Sequence, residues 1–101
     1  MKLEVTDKAI QWFKEEVLVE EGSAIRFYVK IYGSSPIREG YALAFEVHDE
    51  AIEGPVGEKV EQSGLTFYVK EDDLWFFEGH NLVVDYDEKM EEVAYRYPEI
   101  K

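Results

Sequence analysis

Few side chains in this sequence could do chemistry. Two adjacent serines, Ser34 and Ser35, sit in the stretch "GSSPIREG" at 33–40, and two histidines, His48 and His80, stand elsewhere. Around His80 lie the carboxylates Glu71, Asp72, Asp73, Glu78, Asp85 and Asp87. Serine, histidine and aspartate together suggest acyl transfer. "GSSPIREG", however, lacks the Gly-x-Ser-x-Gly elbow, lies between two strand-like runs rather than between a strand and a helix, and has no spacing that links it to either histidine. No catalytic residue is therefore assigned. Histidine with two carboxylates is a donor set that suits iron(II) or another divalent metal, so His80 and Asp85, joined by a residue of the 33–40 loop, are the metal candidates. Neither a His-x-x-x-His pair nor an EF-hand pattern supports them, and carboxylates in so acidic a chain ordinarily form a solvated face.

The loop has other uses. Gly33 permits a turn, the Ser34 or Ser35 hydroxyls can bond nearby backbone, and Pro36 stiffens the bend. Its amides could also cup an anion with Arg38 as counter-charge, although no helix start or lysine reinforces such a nest. Tyr32 and Tyr41 flank the loop, and tyrosines, which join apolar area to a hydroxyl, recur at protein interfaces. Tyr32, Gly33, Ser34, Ser35, Pro36, Arg38 and Tyr41 thus form the candidate binding loop, for a protein partner, a second copy or a small ligand.

Composition removes several function classes. No cysteine occurs among the 101 residues, which excludes disulfides, thiolate catalysis, Cys-ligated zinc and cysteine-held clusters within them. The formal charge is −12, divided as −4 over residues 1–50 and −8 over residues 51–101. Such acidity repels phosphate backbones and anionic headgroups, so neither nucleic acid nor membrane is expected as a partner. No run approaches the roughly 18 apolar residues of a membrane span, and the first 20 residues already carry Lys, Glu and Asp. A cytoplasmic protein is the expectation. With 46% hydrophobic and 15% aromatic residues, the chain has a globular composition and the length of one domain, 1–101.

The elements that must position these residues follow from periodicity. "KLEV" suits a short strand, after which Thr6 or Asp7 can cap a helix of about 12 residues carrying Ala9, Ile10, Phe13 and Val17 on one face, with Gly22 as its stop. The pattern then alternates. In "AIRFYVKIY", Ile25, Phe27, Val29 and Ile31 share a face; in "YALAFEV", Tyr41, Leu43, Phe45 and Val47 do. Small Ala42 and Ala44 leave room on the opposite face for a helix or a second sheet. "EKVEQ", Ser63-Gly64 and "LTFYVK" read as a hairpin, "EDDLWFFEG" as a short helical turn, "HNLVVDY" as a strand, and the remainder as an edge element with a tail. Most of Trp12, Phe27, Phe45, Phe67, Trp75, Phe76 and Phe77 are assigned to the core.

The order "VTDKAIQWF", "IRFYVKIYGSSP", "YALAFEV", "SGLTFYV", "LWFFEGHNLVVDY" resembles the HesB/IscA family, the A-type iron–sulfur carrier fold, over nearly the whole chain. That resemblance implies a mainly β architecture, a small two-sheet sandwich or flattened barrel with the N-terminal helix packed on it. The family's chemistry rests on a cysteine in an "SGCSG"-type loop and on a C-terminal "CGC". Gly33 matches the glycine before the first cysteine and Ser34 falls at the cysteine itself, while "YRYPEIK" supplies nothing for the other two. A serine hydroxyl has neither an accessible anion near neutral pH nor a soft sulfur. The sequence is similar to a cysteine-free bacterial branch of the family. The function expected is a non-catalytic protein- or ligand-binding module. The alternative is an iron–sulfur assembly accessory that handles iron through oxygen and imidazole ligands or a partner's thiolates.

Overall fold

A computed structural model describes residues 1–101. The order of elements is β1 (Leu3–Val5), α1 (Asp7–Glu15), β2 (Ala24–Ser34), β3 (Glu39–His48), β4 (Val56–Gln62), β5 (Leu65–Lys70), a 3-10 segment (Glu71–Phe77), β6 (Leu82–Asp87) and β7 (Glu92–Arg96). The strands form a four-stranded sheet ordered β3-β2-β5-β4 and a three-stranded sheet ordered β1-β6-β7. Both sheets contain one parallel pair: β2 runs with β5, and β1 with β6 in the register Leu3↔Leu82 and Val5↔Val84. The architecture is mainly β, as the alternating apolar runs predict.

Thr6 caps α1 by accepting the Ala9 N–H at 3.3 Å, and Ala9, Ile10 and Phe13 turn inward at the spacing of one helical face. The helix is shorter than expected and does not end at Gly22. Leu18 takes φ 62, which reverses the chain and lets the Val19 N–H reach the Phe13 carbonyl at 3.0 Å while the Val19 side chain enters the core. A hydrophobic residue worth burying thus stops the helix early. Gly22, at φ +94, donates its N–H to the Gly64 carbonyl and ties this segment to the β4–β5 turn. That turn is Ser63-Gly64 with φ 54 and φ 80, the positive pair a two-residue hairpin needs.

The core is centred on aromatic rings. Phe13 of α1 sits 5.1 Å from Phe45, 5.6 Å from Phe67 and 6.4 Å from Phe27, and Phe27 stacks on Phe67. Tyr95 of β7 meets Phe27 from the other sheet, edge to face at 5.9 Å. Helix and second sheet therefore cover the Phe27–Phe45 face, not the alanine face reserved for them by side-chain size. Ala44 lies opposite Tyr28 on the outer surface of the four-stranded sheet. The aromatic face wins because burying rings removes far more apolar area from water than burying methyl groups.

Two further differences concern the C-terminal half. The 3-10 segment brings Phe76 and Phe77 fully into the core, but leaves Trp75 46% exposed. The tail is held in place, since Asn81 N–H donates to the Pro98 carbonyl, Ile100 N–H donates to the Gly79 carbonyl, and Tyr97 packs on Phe76. Its burial pushes the Tyr97 phenol up to about 12.

Candidate functional site

Half of the "GSSPIREG" stretch is strand. β2 runs on to Ser34 and β3 begins at Glu39, so the connection shrinks to residues 35–38. Ser35 builds that turn: its N–H and its Oγ–H both donate to the Arg38 carbonyl, at 3.3 and 3.2 Å, and Oγ accepts the Arg38 N–H at 3.1 Å. The register slips just before it. Ile31 pairs with Tyr41 and Gly33 with Gly40, which leaves Tyr32 as the extra residue of a β-bulge with φ 70. Tyr32 is 97% exposed.

Gly33 is not the turn residue. A Cβ at that position would stand 2.5 Å from the Ala42 Cβ, so Gly33 is there for close approach, and Gly40 carries the positive φ, +86. Arg38 reaches across to the 3-10 segment, with Nη2 donating to the Trp75 carbonyl at 3.1 Å and lying 3.5 Å from Glu78 Oε2. Tyr41 sets its ring edge to face with Trp75, 5.2 Å away. The hairpin tip is thus pinned to the 3-10 segment through Arg38 Nη2, while the buried Arg38 Nε has no hydrogen-bond partner.

What results is an apolar ledge. Ile31, directly opposite Tyr41, is 64% exposed, and Trp75 continues the surface. Residue type assigns Trp75 to the core, and alternation puts Ile31 on the same strand face as Phe27. The signal for their exposure is length: β2 is 11 residues, about 36 Å of chain, longer than one small core can cover.

The histidines and acids do not join this ledge. His48 Nε2 lies 2.6 Å from the Tyr68 hydroxyl and its Nδ1 lies 3.0 Å from the Glu50 carbonyl. Arg26 is held between Glu46 at 3.5 Å and Asp73 at 3.3 Å, with its guanidinium over the Tyr28 ring. His80 Nδ1 lies 3.1 Å from the Glu78 carbonyl. Asp85 accepts the Thr6 hydroxyl at 2.9 Å, the Tyr86 N–H at 2.8 Å and the Arg96 Nε–H at 3.3 Å. The Tyr86 N–H, then the Thr6 hydroxyl, hold its carboxyl below the ordinary carboxylate range. His80 and Asp85 are five positions apart along an extended chain, about 16 Å, and no three His, Cys, Asp or Glu side chains converge in the structure. Neither Ser34 nor Ser35 hydrogen-bonds a histidine.

The geometry defines a small two-sheet β protein with a helix on its aromatic face, a hairpin tip tied to the 3-10 segment and no convergent ligand set. The family model described as iron-sulphur cluster biosynthesis matches residues 1–96, and the chain belongs to that family. The HesB/IscA resemblance is thereby borne out. The "Pyruvate dehydrogenase inhibitor" of Bacillus subtilis (strain 168) is 35% identical over 99 residues, covering 96% of this chain and 99% of the relative. An uncharacterized protein of Staphylococcus saprophyticus is 34% identical over 96 residues, covering 94% of this chain and 97% of its own length. Another from Staphylococcus haemolyticus is 35% identical over 97 residues, with 94% and 96% covered. An iron–sulphur cluster does not fit the donors present. Ser34, at the end of β2, stands where the family resemblance puts a cysteine, and no thiolate occurs anywhere in the sequence. No helix is long and apolar enough to cross a membrane.

Proposed function

We propose that this chain is a non-catalytic binding module that docks on another protein through the tip of the β2–β3 hairpin. The observation that carries the reading is Tyr32, 97% exposed on a bulge with a left-handed backbone and following the exposed Ile31 in β2. A non-glycine residue in that conformation is held at an energetic penalty of about 1–3 kcal/mol, and such outliers collect where a surface has work to do. The hairpin tip is also tied down before any partner arrives, because Arg38 and Tyr41 hold it against Trp75, which limits the ordering entropy lost on docking. Exposed Tyr and Trp are the side chains that dominate binding hot spots.

Pyruvate dehydrogenase is the first partner to try, since a relative of matching length carries the name of its inhibitor. A chain without an assigned catalytic group would inhibit an enzyme by occupying a surface. The experiment is a surface-binding titration of purified pyruvate dehydrogenase over the immobilised protein, run beside an activity assay. Wild type is expected to bind and inhibit, and Ile31→Ala with Tyr32→Ala, both at exposed positions, is expected to weaken binding about 30-fold or more. Binding undiminished in that double variant would remove the ledge as the contact. No binding by the wild type would remove this partner.

A further inference from the structure

The strongest feature outside the hairpin is an open cavity of about 260 Å³ between α1 and the β6–β7 turn, which shares no residue with the tip. Trp12 and Tyr86 supply its aromatic surfaces, and Lys8, Glu15, Glu16 and Glu88 supply its charges. Two clamps set its shape. Lys8 Nζ reaches Glu88 Oε1 at 2.8 Å, and the Trp12 indole Nε1–H donates to the Glu91 carbonyl at 3.1 Å. Glu91 holds φ 55 to present that carbonyl, so the turn is bent towards the helix rather than away from it. The Trp12 ring is steadied by edge-to-face contacts with Phe13 and Phe45, at 5.3 and 5.9 Å.

The charge of the lining selects the ligand. Lys8 is consumed by Glu88 and Glu15 accepts the Gln11 amide at 3.2 Å, while Glu16 is engaged by no side chain. Three carboxylates against one ammonium leave the walls net negative, which turns away anions and phosphates. The carboxylates ring the cavity without converging, since no three acidic or imidazole groups meet at one point, so the arrangement suits an extended cation better than a metal ion. Aromatic faces beside carboxylates are the surroundings an alkylammonium or guanidinium group takes up, its charge over the ring and its methylenes against it. The volume is below the roughly 300–1,000 Å³ of drug-sized sites and suits one side chain or a small amine.

We propose that the Trp12–Tyr86 cavity is a binding site for a single organic cation, an alkylammonium or guanidinium group. It could arrive as a Lys or Arg side chain of a basic partner or as a free diamine. The test uses the two indole N–H signals of the protein, from Trp12 and Trp75, in a nitrogen–proton correlation spectrum. Putrescine and agmatine, and separately a short arginine-rich peptide, are titrated in, with sodium acetate as the anionic control. The expected result is a saturable shift of the Trp12 indole with each cation, little change at Trp75, and none with acetate. Glu15→Gln with Glu16→Gln, on the exposed face of the helix end, should weaken the response about tenfold. A peptide that binds more tightly than both free amines points to a partner's side chain, and the reverse order points to a metabolite amine; either supports the site. No saturable shift with any cation, equal shifts at both indoles, or an undiminished response in the double variant overturns it.

Discussion

At the scale of single residues, Asp85 changes role most. By type it is a candidate metal ligand; in place it is a brace, joining β6 to the cap of α1 through Thr6 and to β7 through Arg96. Its pKa is depressed in the folded protein, chiefly by the Tyr86 N–H. Above the unfolded carboxylate value of about 3.9 its contribution to stability is complete, and it is lost as the pH falls through the lower folded value. Asp85→Asn is therefore expected to lower stability at pH 7 by about 1 kcal/mol, and the gap to wild type should close in acid. Thr6→Ala removes both the cap and one of the carboxylate's donors, with about 1 kcal/mol lost and a melting temperature lower by about 5 °C. Urea titrations at pH 7 and pH 3 check both; a gap that persists unchanged at pH 3 would show that the brace does not act through its charge.

At the scale of elements, the β2–β3 hairpin separates what periodicity reveals from what it hides. Alternation in "AIRFYVKIY" marks a strand because side chains on a strand repeat every two residues. The same alternation continues past the point where the core ends, so nothing in it announces that Ile31 is exposed. The bulge is equally silent, because Tyr32 adopts its positive φ without a glycine to mark it. Gly33 is misread for a different reason. Glycine serves both turns and close backbone approach, and only the neighbouring Ala42 decides between them. Gly33→Ala is expected to destabilise by about 1–3 kcal/mol through overpacking. Ala42→Gly should recover most of that loss in the double variant, because it removes the methyl that the new Cβ meets. A turn-glycine role predicts no such rescue, so a denaturation cycle over the four proteins distinguishes them.

At the scale of the whole molecule, the fold was the legible part, since capped helix, alternating strands, Ser-Gly hairpin and aromatic plug are local patterns that agree with one another. The candidate site was legible only in position, because pinning the tip to Trp75 depends on a contact 37 residues away in sequence. What the family membership means for chemistry then turns on donors rather than on fold. A cluster needs thiolates held in a fixed array, and this sequence offers a serine at the matching loop position, two histidines bonded elsewhere and carboxylates that do not converge. Purified protein given ferrous iron and sulfide without oxygen is therefore expected to stay colourless. Ser34→Cys alone should not change that, because one thiolate at an exposed strand end still lacks its partners. Visible absorption with iron and sulfide counted per chain is the measurement. A stoichiometric cluster on the wild type would mean that oxygen and imidazole ligands, or ligands shared between copies, do the family's work by another geometry.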